Sequence, residues 1–410
     1  MSKQKKNNTW KSVRTVFNEI HLWLGLVGGL VIIPVCLTGT IYTYNSEIRE
    51  AFKSHLYKVE YNRDMETVEA EALLEAVTEA SSGSINTIQI FSNPSKSVQI
   101  NVREEGDKSR FGTTYFLNPY TAEILGTSKE KHWIDEFMGS LFSLHRWLLL
   151  DKIEEPVFED LPNRTLGSYI TGTATILFTL GLITGMVIWF PQKLKAWKQG
   201  LKVKWKSNWK RLNFDLHNTL AFYSLIFLLC MGLTGPFWSF PWYKDGWQKF
   251  WGTYQENAGP RNGGGHGRGE ANSPEAVELL PLNLYVGKAD EVLAYKGDYR
   301  INLPSSVGQS VSIQKNRMGF FAPSAGDKVE LDQTTGMVSS VEIFREKPWN
   351  ERMSRSIKAL HIGDVYGQFT KLLYFLACLV ATSLPITGTI IWINKLKKKN
   401  KVRGTKHKVK

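Results

Sequence analysis

The chain has 410 residues and a formal net charge of +13, with 51 Lys and Arg against 38 Asp and Glu. Its positive charge is confined to three segments beside apolar runs, since residues 1–21, 191–211 and 395–410 hold 22 basic and one acidic residue and leave 29 basic against 37 acidic elsewhere. Anionic lipid headgroups account for that placement, which excludes nucleic acid as the partner and identifies membrane lipids instead.

In chain order, residues 1–21 form a basic N-terminal segment and 22–44 a first transmembrane helix. The run is free of charge and long enough to cross about 30 Å of hydrocarbon at about 1.5 Å per residue. It is too long for a signal-peptide core and no A-x-A-like site follows, so it reads as a retained anchor. Residues 167–190, 219–240 and 368–393 are nearly charge-free and give three more spans. Basic short segments stay in the cytoplasm. Both termini, with 394–410 as the tail, and the 191–218 loop are therefore predicted inside, and 45–166 and 241–367 outside.

The first outer segment is predicted to hold an amphipathic helix over 67–80 and strands at Ile85–Phe91, Ser97–Arg103 and Thr113–Leu117, closed by a turn at Asn118–Thr121. Leu331–Val338 gives the second segment a similar end, so each reads as a small α+β module. The stretch Gly259–Pro274 is predicted as a mobile loop in which His266 is a poor ligand. Asp151–Asp160 reads as a solvated acidic loop. Trp197, Trp205 and Trp209 inside, and Trp238, Trp242, Trp247 and Trp251 outside, fit aromatic belts. Lys371, just inside the fourth run, is predicted to snorkel outward, with a haem propionate or iron as its alternative partner. Cys36, Cys230 and Cys378 all lie in apolar runs and form neither a disulfide framework nor a C-x-x-C motif.

The halves share a plan. His21 precedes Thr38-Gly39 by 17 and 18 residues, and His217 precedes Thr234-Gly235 by the same. Ile183–Trp189, with Thr184-Gly185, matches Ile386–Trp392, with Thr387-Gly388. His145 lies 40 residues before Gly185 and His361 27 before Gly388, a difference that the Asp151–Pro162 stretch can supply. Two parallel repeats follow, because both halves start inside.

Repetition also singles out four histidines: His21 and His217 at the inner depth, His145 and His361 at the outer. Imidazoles from different helices can clamp one iron from opposite faces, so the chain offers a haem-ligand pair at each surface. Gly25 and Gly28, four and seven residues after His21, share its helical face, as Ala221 and Ser224 do after His217. A flat macrocycle could approach the backbone there. The Thr-Gly pairs lie at the depth of a neighbouring helix's histidine and could make room for it. A single interfacial histidine is more often a headgroup contact, and small-residue pairs more often pack helices; four at matched positions favour ligation. His55 and His132 have no repeat partners and keep the ordinary reading. With no C-x-x-C, the haem would be non-covalent, of b type.

The pattern His21-x-Trp23-x-Gly25-Leu26 to Thr38-Gly39, with Leu144-His145-Arg146-Trp147, Asp215-Leu216-His217 and Leu360-His361-Ile362-Gly363, resembles bacterial PepSY-associated transmembrane proteins over nearly the whole chain. Asn118–Gly126 and Asp332–Val338 resemble the closing hairpins of PepSY modules, although Asn118 and Ala122 stand where Asp and Gly are commoner. The family is associated with iron uptake and includes inner-membrane siderophore reductases with two b haems. The resemblance implies an integral membrane α-helical protein of the bacterial plasma membrane with four transmembrane helices and two outward PepSY-like modules. It also implies two haems on His21, His145, His217 and His361, a ferric siderophore or other iron chelate outside, and a cytoplasmic reductase or quinol as electron donor. No G-x-G-x-x-G sits in a strand-turn-helix setting, which leaves the donor to a separate molecule. A non-catalytic membrane-anchored binding or regulatory module and an iron-chelate permease are the rival expectations.

Overall fold

Long uncharged runs dictate the frame. Among the described residues of the computed structural model, four helices are apolar and long enough to cross a membrane: Ser12–Tyr42, Asn163–Trp189, Trp209–Trp238 and Gly367–Lys398. The structure describes residues 2–104, 112–190, 197–256, 279–319 and 325–407. The predicted loop Gly259–Pro274, His266 included, lies wholly outside the described residues.

The first half runs α1 (Ser2–Tyr42), α2 (Asn45–Phe52), α3 (Ser54–Tyr57), α4 (Ala70–Ala80), β1 (Ser84–Ile90), β2 (Val98–Arg103), β3 (Thr113–Leu117) and β4 (Ile124–Thr127). It continues with α5 (Trp133–Trp147), α6 (Asn163–Trp189) and α7 (Trp197–Gly200). The second half runs α8 (Trp209–Thr234), α9 (Pro241–Phe250), α10 (Leu282–Val292), β5 (Gly297–Asn302), β6 (Val311–Arg317), β7 (Asp327–Leu331) and β8 (Val338–Glu342). Then come α11 (Trp349–Arg355), α12 (Ile357–Ile362) and α13 (Gly367–His407).

The long helices close a ring in which α1 packs on α6 and α13, and α8 packs on the same two. Helices α1 and α8 are therefore diagonal. Small residues let the helices approach: a Cβ on Gly28 would stand 3.3 Å from Leu177 Cβ of α6, and one on Gly29 2.7 Å from Pro385 Cβ of α13. Leu182, Leu228, Ala377, Ala381 and Leu384 fill the interior. Ion pairs lock the shorter helices to this frame, Lys53 and Arg49 of α2 and its C-terminal edge holding Asp135 of α5, and Glu47 of α2 holding Lys371 of α13. Lys371 is thus buried against a carboxylate, where the sequence predicts snorkelling.

The two segments that join the spanning helices, 45–166 and 241–367, build one sheet. Its order is β4-β3-β2-β1-β5-β6-β7-β8, antiparallel throughout, with Ile88 opposite Ile301 where β1 meets β5. Alternation of side chains along each strand puts Ile88, Ile100, Ile301, Ile313 and Val329 on one face. They pack there with Leu73 and Val77 of α4 and Tyr285 and Ala289 of α10. The predicted helix and three strands appear within three residues of their expected bounds. What differs is the continuity: two edge strands, each open in an isolated module, satisfy one another's backbone.

Candidate functional site

The histidines meet in pairs. His21 of α1 and His217 of α8 reach across the diagonal of the ring, their ring centres 6.4 Å apart. His145 of α5 and His361 of α12 face each other at 6.3 Å on the side of the bundle that carries the sheet. Neither His145 nor His361 belongs to a spanning helix. Each sits near the C-terminal end of a short helix, α5 packed along α1 and α6, and α12 along α8.

Each imidazole rests on the glycine of a Thr-Gly pair. A Cβ on Gly185 would stand 3.0 Å from Cε1 of His21, one on Gly388 3.3 Å from His217, one on Gly39 3.0 Å from His145 and one on Gly235 3.6 Å from His361. The same turn of helix holds the ring nitrogen. Nδ1 lies 3.2 Å from Thr184 Oγ1 and 3.0 Å from the Gly181 carbonyl for His21, and 2.8 Å from Thr387 Oγ1 for His217. It lies 3.0 Å from Thr234 Oγ1 for His361 and 2.9 Å from the Val35 carbonyl for His145. Each of the three threonine hydroxyls already donates to a carbonyl of its own helix, Thr387 to Ser383 at 2.9 Å, Thr234 to Cys230 at 2.6 Å and Thr184 to Gly181 at 3.0 Å. Its oxygen can then only accept, so Nδ1 is the donor and carries the proton. That leaves Nε2 as a free lone pair on each ring, the arrangement a metal-binding imidazole needs.

Spacing tests the fit. Two imidazoles bonded through nitrogen to opposite faces of one metal, at about 2 Å each, have ring centres roughly 6 Å apart. Both pairs meet that separation. Among the described residues no group of three or more His, Cys, Asp or Glu gathers as it would for a bare ion. Two-ligand sites of this kind suit a metal whose remaining ligands come from a macrocycle. Gly28 serves the contact of α1 with α6, and a Cβ on Gly25 would meet nothing within 4 Å. The contact that the Thr-Gly pairs make is with the imidazoles themselves. His132 instead caps α5, accepting from the Ile134 amide at 3.2 Å, and His55 lies 3.5 Å from Glu130.

A cavity of about 1910 Å³ adjoins the sheet-side pair. Gly39, His145, Arg146, Gly235, Trp238 and His361 line its floor, and it extends to Lys328 and Glu342 on the sheet. Ligand pockets usually hold roughly 300–1,000 Å³, so this space exceeds the needs of one small molecule. Arg146 faces it, its basicity drawn down to about 10 by burial and then by the neighbouring charge of Arg164. At the cavity's edge burial raises the Glu47 carboxyl, but hydrogen bonds from Lys371 and Gln368 outweigh it and leave the group below its ordinary value.

A family profile described as "PepSY-associated TM region" matches residues 19–395. No curated protein matches the sequence.

Proposed function

The chain belongs to the PepSY-associated TM region family, and from that premise we propose that it is a di-haem b electron-transfer protein that reduces ferric iron chelates, siderophores among them. It sits in the bacterial plasma membrane as two parallel repeats, with both termini in the cytoplasm and the sheet outside. The observation that carries the reading is the matched spacing of the His21/His217 and His145/His361 ring centres, 6.4 and 6.3 Å.

Bound haem would supply reversible one-electron chemistry. His21 and His217 would hold one iron on the inner side, His145 and His361 the other on the outer. Their Nδ1 partners fix ring orientation and strengthen the Nε2 donor. Along the Trp209–Trp238 span, His217 and Gly235 lie 18 residues apart, about 27 Å of helix, and Leu228 packs in that interval with the apolar Leu182, Ala377, Ala381 and Leu384. Such a layer suits electron passage and gives a permease no polar midplane site. With His145 and His361 holding the cofactor, the cavity that adjoins them would admit the chelate beside it. One electron converts its ferric iron to ferrous, which hard oxygen donors hold less firmly. A cytoplasmic reductase or a quinol supplies that electron on the inner side.

The test is the oxidised and dithionite-reduced absorption spectrum of the detergent-solubilised protein, with haem counted per chain. Two b haems are expected, one lost in His21→Ala or His217→Ala and the other in His145→Ala or His361→Ala. A stable protein that takes up no haem overturns the reading in favour of a membrane-anchored binding module.

A further inference from the structure

Two arginines beside the sheet-side pair have no counter-charge among the described residues. Arg146 follows His145 directly and lines the cavity with Arg164. Its guanidinium reaches the Trp238 carbonyl at 3.3 Å, which uses one of five N–H donors. Arg164 lies 3.9 Å above the Trp147 ring, and that ring is itself buried. Among the described residues neither arginine forms an ion pair, whereas Glu342 and Glu351 of the same cavity are held by Lys347 and Arg355. Arg146 lines the same cavity as both His145 and His361.

The backbone holds this arrangement under strain. Leu148 and Leu149 follow Trp147 at φ 53° and 63°, a left-handed region that bulky side chains rarely occupy. The Arg146 carbonyl accepts the Thr171 hydroxyl at 3.0 Å, which pins the segment to α6. A planar guanidinium matches a carboxylate through two parallel hydrogen bonds, and partly buried cations without a partner are costly unless a ligand supplies the charge.

We propose that Arg146 and Arg164 form a carboxylate clamp in the cavity beside His145 and His361. Resting on the di-haem reading, the clamp has two candidate sources of carboxylate, a propionate of haem bound at this pair or a carboxylate of the iron chelate.

Both sources are tested on the full-length protein in detergent, wild type against Arg164→Gln, Arg146→Gln and the double variant, with Arg146→Lys as the conservative change. Haem and its dimethyl ester are titrated into haem-stripped protein, and ferric citrate and a ferric trihydroxamate lacking carboxylates are titrated into the haem-loaded form by tryptophan fluorescence. If the clamp holds propionates, the wild type prefers free-acid haem by about tenfold or more at one of its two sites and the double variant loses that preference. If it holds the chelate, haem preference is unchanged while citrate binding weakens about tenfold and trihydroxamate binding does not. A double variant that keeps the His21/His217 spectrum and shifts neither titration overturns the clamp. Absence of haem from the wild type overturns the di-haem reading instead, and the citrate and trihydroxamate titrations, made on the haem-free protein, then decide the clamp.

Discussion

The His145 ring lies on the backbone of Gly39, so that a Cβ there would stand 3.0 Å from Cε1 and 3.2 Å from Nδ1. Helix propensity alone favours alanine over glycine by about 1 kcal/mol, but Gly39 is half-buried and its added Cβ would push the His145 ring off its axis. Haem content is expected to fall from two per chain toward one, with the His21/His217 signal retained. Gly185→Ala reverses the pattern, because its Cβ meets His21. Haem counts and a thermal melt check both; a lower melting temperature with full haem content would show that Gly39 serves only packing.

Threonine hydroxyls divide the four imidazoles unequally. Thr387 and Thr234 touch Nδ1 of His217 and His361, whereas the Thr38 hydroxyl is spent on the Pro34 and Val35 carbonyls and His145 takes Val35 directly. Removing an outer-shell partner typically weakens metal sites about 10–100-fold. Thr387→Val and Thr234→Val are thus expected to loosen haem by about tenfold or more, and Thr38→Val to change it far less. Haem transfer to a competing apoprotein measures the ranking, and equal losses from all three variants would contradict it.

The spanning helices are legible because lipid demands long uncharged runs, and charge-poor residues 22–44 or 219–240 have no other use. Repetition exposed the histidines as well, since His21 and His217 stand at equal distances from their Thr-Gly pairs. Pairing across the ring is not local information. His145 reaches Gly39 over a sequence separation of more than a hundred residues, and the β1–β5 junction joins Ile88 to Ile301. Arg146 was hidden for a different reason: inside Leu144–Trp147 it resembles any interfacial arginine until Arg164 and the cavity are placed beside it.

Glu47 gives the protein an acid-sensitive joint between α2 and α13. Its side chain accepts from Lys371 at 2.6 and 2.8 Å, and the folded protein holds its carboxyl below the ordinary 4.5. A depressed carboxylate contributes stability that is present above its unfolded value and is lost as pH falls through the folded one. Melting temperature is therefore expected to drop as pH falls below 4.5, beyond what Glu47→Gln shows. At neutral pH Glu47→Gln should cost about 1–2 kcal/mol, less than a fully buried pair because the side chain keeps contact with solvent. Melts of both proteins from neutral to acidic pH decide it, and parallel curves would remove Glu47 from the account.

The matching turns of the two halves are unequally relaxed. Ala122 and Gly336 both take left-handed backbone, at φ 58° and 65°, where an L side chain costs about 1 kcal/mol. Ala122→Gly is expected to stabilise the sheet by up to about 1 kcal/mol, part of the gain being offset by the greater freedom of glycine in the unfolded chain. Gly336→Ala goes the other way, because an L side chain is strained at this φ and its Cβ would come within 2.5 Å of Leu284 Cδ2 on α10, an exposed side-chain end that must swing aside. Both turns lie at the outermost hairpins, between β3 and β4 and between β7 and β8, so haem content should not respond to either change. Melting temperatures that move in the same direction for the two variants would contradict the shared turn geometry.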